Sequence, residues 1–313
     1  MKIKDLANQL VQISPRFAKG EEKTAEFISQ LLKQSNVDYI DQEFETSVPV
    51  SKKAELIVDG KVIDCRNVGM TSGTFENKDA LASSLFWGDN DFYYPQNINF
   101  NPYCKDTVSM AMFYKNAAIA IKRSDVQTVL ESTTISGETV VEQYSFIGHN
   151  FLVGNRKNPT NIIFTHYDCW ESGAIDNASG TAVLLYIAMN NKEYLQNNLL
   201  VIAGNEEISM EEPIYWGKGY RAFQSKYLDL LQNAKKIICI DCVGYSEHEW
   251  ITDPSHIVLG LPLDNFDSLA NKASMLSGDF YKMLEIYHSN DDTIDLLDED
   301  KLKDATEMLL KQI

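Results

Sequence analysis

The chain has 313 residues, of which 44% are hydrophobic, so it is long and apolar enough to form one large core or two domains. Its formal net charge of -17 disfavours nucleic acids and anionic membranes as partners, because both repel an acidic surface. We expect no signal peptide, because the N-terminal residues lack an apolar segment, and no membrane span, because no uncharged apolar run reaches about 18 residues. Five scattered cysteines are typical of a reducing compartment, so we expect a cytoplasmic protein.

The first half of the chain changes character near residue 48. Apolar side chains at helical spacing predict a helix around residues 24–32, and a strand is expected at 38–44. From 48 to 142, short β-like runs are separated by turn-rich stretches. This pattern predicts an inserted, mostly β subdomain.

The second half alternates strands with helices. Strands are expected at 161–165, 199–203, 236–242 and 284–287, and helices at 178–189 and 298–310. Continuous apolar strands that alternate with helices are typical of an α/β fold, so we predict a mostly parallel central sheet. We expect 1–47 and 143–313 to form this domain around the insert at 48–142.

Side chains that can bind metal ions follow the predicted strands one after another. They are His166 and Asp168 after the first strand, Asp176 at the start of the next helix, Glu206 and Glu207 after the second strand, Asp241 in the third, and His288 after the last. Because the carboxyl ends of parallel strands meet at one edge of a sheet, we expect these side chains to converge. Together they predict a metal site.

This set has the composition of a site for two metal ions. One carboxylate can bridge two metals about 3.5–4 Å apart, and each metal then needs one histidine and one further carboxylate. The sequence supplies Asp176 as the bridge, His166 with Asp241 for one metal, and His288 with Glu207 for the other. Glu206 has no metal assigned to it and is the neighbour of the ligand Glu207 in the sequence. An uncoordinated carboxylate beside a metal site is suited to act as a general base.

We also assign Asp168 to the catalytic machinery, in a supporting role. In an extended segment, residues two apart share a face, so the carboxylate of Asp168 could accept a hydrogen bond from the second ring nitrogen of His166. Such a bond fixes the tautomer of a metal-binding histidine and raises its basicity.

Each of these residues has a structural alternative when it is taken singly. Asp176 could be an ordinary helix N-cap, and Glu206-Glu207 could be a solvated acidic turn. Asp241 is harder to explain in this way, because a carboxylate among apolar neighbours is costly to bury without a partner. Cys239 and Cys242 form a Cys-x-x-Cys pair, but residues three apart in a strand point to opposite faces, so we expect no shared metal or redox site.

The ordered set of motifs resembles the M28 family of zinc peptidases over roughly residues 1–47 and 145–313. The matching segments are His166-Tyr-Asp168, Gly173-Ala-Ile-Asp176-Asn-Ala-Ser-Gly180, Glu206-Glu207, Asp241-Cys-Val-Gly244, His288-Ser-Asn-Asp-Asp292-Thr and the early Ser14-Pro-Arg16-Phe. The ordered set is specific, although no single segment would be.

The resemblance implies a three-layer αβα, phosphorylase/hydrolase-like fold with a dinuclear site for Zn2+, two ions per chain. It also implies an aminopeptidase that acts on peptides with a free N-terminus. The positions of the family's metal ligands fall on His166, Asp176, Glu207, Asp241 and His288, and that of its catalytic base falls on Glu206. The segment 48–142 occupies the place where many members carry a lid-like or protease-associated domain.

One departure from the family leaves two alternatives open. Residues 208–216 intervene between Glu206-Glu207 and the next glycines, and this resembles the longer loop of glutaminyl cyclases. Those enzymes share the fold but use a single zinc to cyclise N-terminal glutamine. A glutaminyl cyclase-like acyltransferase and a catalytically silent peptide-binding homologue are therefore the alternatives to a peptidase.

Three aromatic clusters are candidates for lining a peptide pocket. They are Phe86-Trp87, Phe92-Tyr-Tyr94 and Tyr215-Trp216, all in turn-rich segments. The alternative is that such residues anchor their loops onto the domain below.

Overall fold

The computed structural model describes residues 1–76, 78, 81–83, 97–211 and 214–312. These residues form two compact units. The first unit comprises Met1–Thr46, Ser145–Phe280 and Asp292–Ile313, and the second comprises Ser47–Tyr144 and Tyr281–Asp291. Within the described chain, no helix is both long enough and apolar enough to cross a membrane.

Three of the helices were predicted from apolar spacing. The helices are α1 (Ile3–Val11), α2 (Lys19–Gln34), α3 (Val126–Glu131), α4 (Gly180–Asn190), α5 (Lys192–Asn197), α6 (Lys218–Asn233), α7 (Pro254–Gly260), α8 (Phe280–Leu284) and α9 (Glu299–Leu310). The helices predicted around 24–32 and at 178–189 and 298–310 are confirmed as α2, α4 and α9. Asp298 caps α9, because its side chain accepts hydrogen bonds from the first main-chain N–H groups of that helix.

Most of the predicted strands are confirmed, and one is wrong. The strands are β1 (Tyr39–Val58), β2 (Lys61–Ile63), β3 (Cys65–Asn67), β4 (Gly73–Phe75), β5 (Leu81–Ser83), β6 (Ile98–Phe100), β7 (Ile119–Ile121), β8 (Ile135–Gly154), β9 (Asn161–His166), β10 (Asn198–Ala203), β11 (Lys236–Ile240), β12 (Glu249–Ile251) and β13 (Ala273–Ser277). The predictions at 161–165, 199–203 and 236–242 correspond to β9, β10 and β11. The strand predicted at 284–287 does not form, because α8 ends at Leu284 and turns follow it.

The sheet of the first unit is mixed, so the prediction of a mostly parallel sheet is not confirmed. Its strand order is β12-β13-β11-β9-β10-β8-β1. The four neighbours β13, β11, β9 and β10 are parallel to one another. Antiparallel strands flank them, since β12 pairs with β13 and β8 pairs with β10 in that orientation. The parallel strands alone place their carboxyl ends at a common edge.

Helices cover both faces of these parallel strands. On one face, Phe164 of β9 contacts the rings of Tyr220 and Phe223 of α6, with centroids 5.4 and 5.2 Å away. On the other face, Thr165 accepts a hydrogen bond from the side chain of Asn177, just before α4. Because the strands are buried on both faces, their sequences are continuous apolar runs rather than alternating ones.

The second unit is mostly β in its described residues. It contains a four-stranded sheet with the order β3-β7-β6-β5. Apolar side chains of β1, β7 and α3, among them Leu56, Ile119 and Val129, form its core. The predicted insert at 48–142 lies within this unit, and its role as a lid stays a prediction.

Truncation of Phe164 to alanine tests the core of the first unit. Phe164 is fully buried between the sheet and α6, so Phe164→Ala should lower the free energy of unfolding by about 3–5 kcal/mol. The control is Leu228→Ala on α6, the helix against which Phe164 packs. The Leu228 side chain is 42% exposed, so the free energy of unfolding should change by no more than about 0.5 kcal/mol. Urea unfolding measures both, and equal effects would show that Phe164 is not a core residue.

Candidate metal centre

The candidate site lies where three parallel strands end. His166 is the last residue of β9, Asp241 follows β11 directly, and Glu206 and Glu207 follow β10 after two residues. Because β9 lies between β10 and β11, these side chains emerge at one edge of the sheet. The predicted convergence of the strand ends is therefore found within the first unit.

His166 faces two carboxylates with the same ring nitrogen. Its Nε2 lies 3.3 Å from Oδ1 of Asp176 and 3.6 Å from Oδ1 of Asp241. The side chains of His166, Asp176 and Asp241 are 2%, 9% and 16% exposed, so water has little access to these atoms.

Asp176 is common to two groups of potential metal ligands in the described part of the chain. His166, Asp176 and Glu207 form one group, and Asp176, Asp241 and Cys242 form the other. Within each group, one ligand atom per residue lies within 4.8 Å of the others. A carboxylate has two oxygens, so Asp176 is the side chain that can serve both groups at once.

The fifth predicted ligand, His288, belongs to the second unit. Its Nδ1 lies 3.1 Å from the carbonyl oxygen of Met110, and the main-chain N–H of Met110 donates to the carbonyl oxygen of His288. A carbonyl oxygen can only accept, so Nδ1 carries a proton, and in the neutral ring the lone pair is then on Nε2. That is the tautomer of a metal-binding histidine, and the predicted pairing of His288 with Glu207 stays a prediction.

The support for His166 differs in detail from the arrangement expected from the sequence. Nδ1 of His166 donates to the main-chain carbonyl oxygen of Asp168 over 3.2 Å. The carboxylate of Asp168 approaches the same nitrogen at 3.5 Å with Oδ1, while its Oδ2 accepts the main-chain N–H of Glu207 over 2.9 Å. Asp168 therefore orients His166 and also fixes the backbone of Glu207.

The segment around Asp176 is held both by a capping side chain at the start of α4 and by residues from outside the segment. The side chain of Asn177, not that of Asp176, accepts the main-chain N–H of Gly180 at the start of α4 over 2.9 Å. Asn177 therefore makes this capping bond, whereas Oδ1 of Asp176 is turned toward His166.

Two residues that the sequence analysis did not assign to the site hold this segment in place. The carboxylate of Asp292 accepts the main-chain N–H groups of Ile175 and Asp176 over 2.7 and 3.0 Å. Arg16 is fully buried and donates to the carbonyl oxygens of Tyr167 and Gly173 over 2.6 and 2.7 Å. Both lie in motifs that carried the family resemblance, which was the available signal.

Burial raises the pKa values of the acids at the site, and neighbouring carboxylates add to the rise. Burial raises the pKa of Asp241, and the neighbouring charge of Asp176 raises it further. Burial likewise raises the pKa of Asp292 to about 7, although the N–H groups of Ile175 and Asp176 lower it in part. These shifts are the free-energy cost of crowding carboxylates away from water.

Glu206 has the features of an uncommitted carboxylate. It is 7% exposed, and burial raises its pKa, with opposing contributions from His166, which lowers it, and Glu207, which raises it. Its carboxylate makes no hydrogen bond with the described residues, whereas Glu207 belongs to a ligand group. Glu206 is thus available to exchange a proton.

The residues present fit a divalent cation. Oδ1 of Asp241 is closed off from solvent and has no hydrogen-bond partner among the described residues. Carboxylates crowded around one imidazole repel each other unless a cation neutralises them, and this mixture of oxygen and nitrogen ligands suits zinc. A metal ion would satisfy both the unpaired oxygen and the excess negative charge.

The aromatic pair Tyr215-Trp216 anchors its loop. The indole N–H of Trp216 donates to the carbonyl oxygen of Leu259 over 3.1 Å, and the Tyr215 ring, 5.0 Å away, is buried. These contacts favour the anchoring alternative over a pocket lining. The other predicted clusters, Phe86-Trp87 and Phe92-Tyr-Tyr94, lie outside the described residues.

Comparison with known proteins gives a match in fold but not in sequence. No family model and no curated protein matches the chain. A zinc aminopeptidase from Bacillus subtilis is similar with a TM-score of 0.64 and 16% identity over 98% of this chain and 93% of that one. An M28 peptidase precursor from Shewanella amazonensis is similar with a TM-score of 0.66 and 14% identity over 98% and 91%. A glutaminyl cyclase from Porphyromonas gingivalis has a TM-score of 0.51 and 12% identity over 99% and 95%.

The chain therefore has the fold that these zinc peptidases and cyclases share, and the resemblance seen in the sequence motifs is confirmed at the level of the fold. At such low identity the likeness in fold does not assign an activity.

Replacement of Asp292 tests the support of the Asp176 segment. In Asp292→Asn the amide nitrogen cannot accept, so one of the two main-chain N–H groups loses its partner. We expect zinc affinity to fall about 10- to 100-fold, measured by competition with a chromogenic chelator. The control is Asp291→Asn, an exposed neighbour that accepts from Thr107, for which affinity should be unchanged. Unchanged affinity in Asp292→Asn would contradict this role.

Proposed function

We propose that the protein is a zinc-dependent aminopeptidase that releases N-terminal amino acids from peptides. The observation that carries this proposal is the shared position of Asp176 in two groups of potential ligands. The carboxylate of Glu206 interacts electrostatically with His166, Glu207 and Asp241, which belong to those groups. The fold shared with zinc aminopeptidases supports the same function.

The ligand set divides between two zinc ions in this proposal. His166 and Asp241, whose Nε2 and Oδ1 atoms lie 3.6 Å apart, would hold one ion, Glu207 and His288 would hold the other, and Asp176 would be shared by both. When bound, such a pair of ions lowers the pKa of a water molecule and polarises the carbonyl group of the scissile bond. Asp168 orients His166 and the backbone of Glu207, so that both side chains are preorganised for their ions.

Glu206 acts as the general base in this mechanism. Its carboxylate takes a proton from the water that attacks the scissile carbonyl and returns that proton to the leaving amine. One carboxylate can serve both halves of this exchange, because the proton that it takes from the water is the proton that the leaving amine needs. The near-complete burial of Glu206 strengthens these interactions by excluding competing water.

The proposed site has partners for a free N-terminus on the substrate. The α-amino group of a peptide can bind a metal ion through its nitrogen lone pair and can donate hydrogen bonds to neighbouring carboxylates. An acetylated N-terminus has no basic lone pair and a single N–H, so a blocked peptide should bind poorly.

Replacement of Glu206 tests its role as the base. Glu206→Gln removes the proton acceptor but leaves the ligands in place, so turnover should fall about 100- to 10,000-fold while zinc content stays near that of the wild type. The control is Glu211→Gln, on the same loop, where the carboxylate pairs with Lys218 and is 40% exposed. Assays of peptide hydrolysis and metal content measure both variants. Near-normal turnover in Glu206→Gln would remove this residue from the mechanism.

A glutaminyl cyclase-like activity is the second candidate. The nine-residue interval at 208–216 and the fold shared with a bacterial glutaminyl cyclase favour it. Metal content distinguishes the two, because the peptidase needs about two ions per chain and the cyclase about one.

A panel of peptides with free and blocked N-termini, assayed with zinc supplied, tests the reaction itself. A peptidase should release amino acids from the free peptides only, since the α-amino group is part of its recognition. Cyclisation of N-terminal glutamine without hydrolysis would establish the cyclase instead. Equal cleavage of blocked peptides would contradict the aminopeptidase, and no reaction with any peptide would favour a silent binding protein.

A further inference from the structure

The two cysteines of the Cys-x-x-Cys pair have different surroundings. Cys239 lies within the apolar core against α6 and α7, and its thiol donates to the carbonyl oxygen of Gly260 over 3.2 Å. Cys242 is 5% exposed, and its Sγ lies with the carboxylates of Asp176 and Asp241 in one of the two groups of potential metal ligands. The two thiols therefore have different neighbours, and that of Cys242 joins a group of potential metal ligands.

The backbone explains how neighbouring residues reach the same place. In a continuous strand, consecutive side chains such as those of Asp241 and Cys242 would point to opposite faces. Here β11 ends at Ile240, and Cys242 adopts a left-handed conformation with φ of 51°. This is a rare conformation for a residue with a side chain. It breaks the alternation, so that the thiol and the Asp241 carboxylate lie on the same side.

A close packing contact holds that conformation. The main-chain N–H of Gly278, directly after β13, donates to the carbonyl oxygen of Cys242 over 2.9 Å. A Cβ atom at Gly278 would lie 3.0 Å from the same oxygen, so a larger residue would crowd it. The position of Cys242 is thus set by the neighbouring strand end.

We propose that Cys242 is a thiolate ligand of the metal ion held by Asp176 and Asp241. This inference rests on the proposed metal centre and adds a soft ligand to its otherwise hard and borderline set. When the ion binds, a metal–sulfur bond forms, the S–H bond breaks and its proton is released to solvent. Sulfur ligands favour zinc, cobalt and cadmium over magnesium and manganese, so Cys242 gives this position its selectivity.

Cobalt substitution tests the ligand directly, because Co2+ reports its ligands by absorption. A thiolate bound to Co2+ gives a charge-transfer band in the near ultraviolet, which oxygen and nitrogen ligands do not give. We compare the wild type with Cys242→Ser and with the control Cys239→Ser, which makes the same change at the buried thiol next to Gly260. The band should be present in the wild type and in Cys239→Ser and absent in Cys242→Ser, while the visible bands of bound cobalt persist in all three.

The outcomes separate this inference from the proposed function. Visible cobalt bands without a charge-transfer band in the wild type would overturn the role of Cys242 and leave the metal centre intact. A band that persists in Cys242→Ser would also overturn it, because another sulfur would be responsible. Failure of the wild type to bind cobalt or zinc at all would overturn both. The wild-type spectrum decides the question even if Cys242→Ser fails to fold.

A competition experiment measures the selectivity without any assay of activity. The preference for zinc over manganese, determined by metal competition at equilibrium, should fall about 10-fold or more in Cys242→Ser relative to Cys239→Ser. An unchanged preference would contradict the proposal.

Discussion

The carboxylates of Asp176 and Asp241 face the same nitrogen of His166, at 3.3 and 3.6 Å, where water hardly reaches. Like charges so close in a low dielectric repel each other, and each group also loses its hydration. The sheet imposes this arrangement, because three parallel strands bring their carboxyl ends to one edge. Within the first unit, hydrogen bonds from neighbouring residues hold the backbone in place against this unfavourable electrostatic free energy.

Hydrogen bonds to main-chain groups hold the residues of the site in position. Asp292 binds the two N–H groups at Ile175 and Asp176, and Asp168 binds the N–H of Glu207. Arg16 links the residue after His166 to the segment before Asp176, because it donates to the carbonyl oxygens of Tyr167 and Gly173. These contacts fix the backbone and leave the side chains of Asp176 and Glu207 directed at the site. The site then still needs a cation, because main-chain groups cannot neutralise the negative charge of the carboxylates.

The sequence predicted the parts of this structure that depend on local pattern. The apolar runs of β9, β10 and β11 and the ligand types after them were sufficient to place His166, Glu207 and Asp241 at one edge. It did not predict β13, whose Ala-Ser-Met-Leu-Ser lacks β-branched residues, and it mistook the alternating 284–287 for a strand. It missed Cys242 in the site, because a left-handed residue breaks the alternation on which strand reasoning depends. The hydrogen bonds of Asp292 could not be predicted from the local sequence either, because its partners lie more than a hundred residues away in the chain.

The number of zinc ions bound to variants of the bridging residue tests the central claim most directly. If Asp176 serves two ions, Asp176→Asn should lose both, whereas Asp241→Asn should lose only one of about two. Isothermal titration with zinc, checked by elemental analysis after dialysis, gives the counts. The account predicts a count near zero for Asp176→Asn, and a count equal to that of the wild type would contradict it.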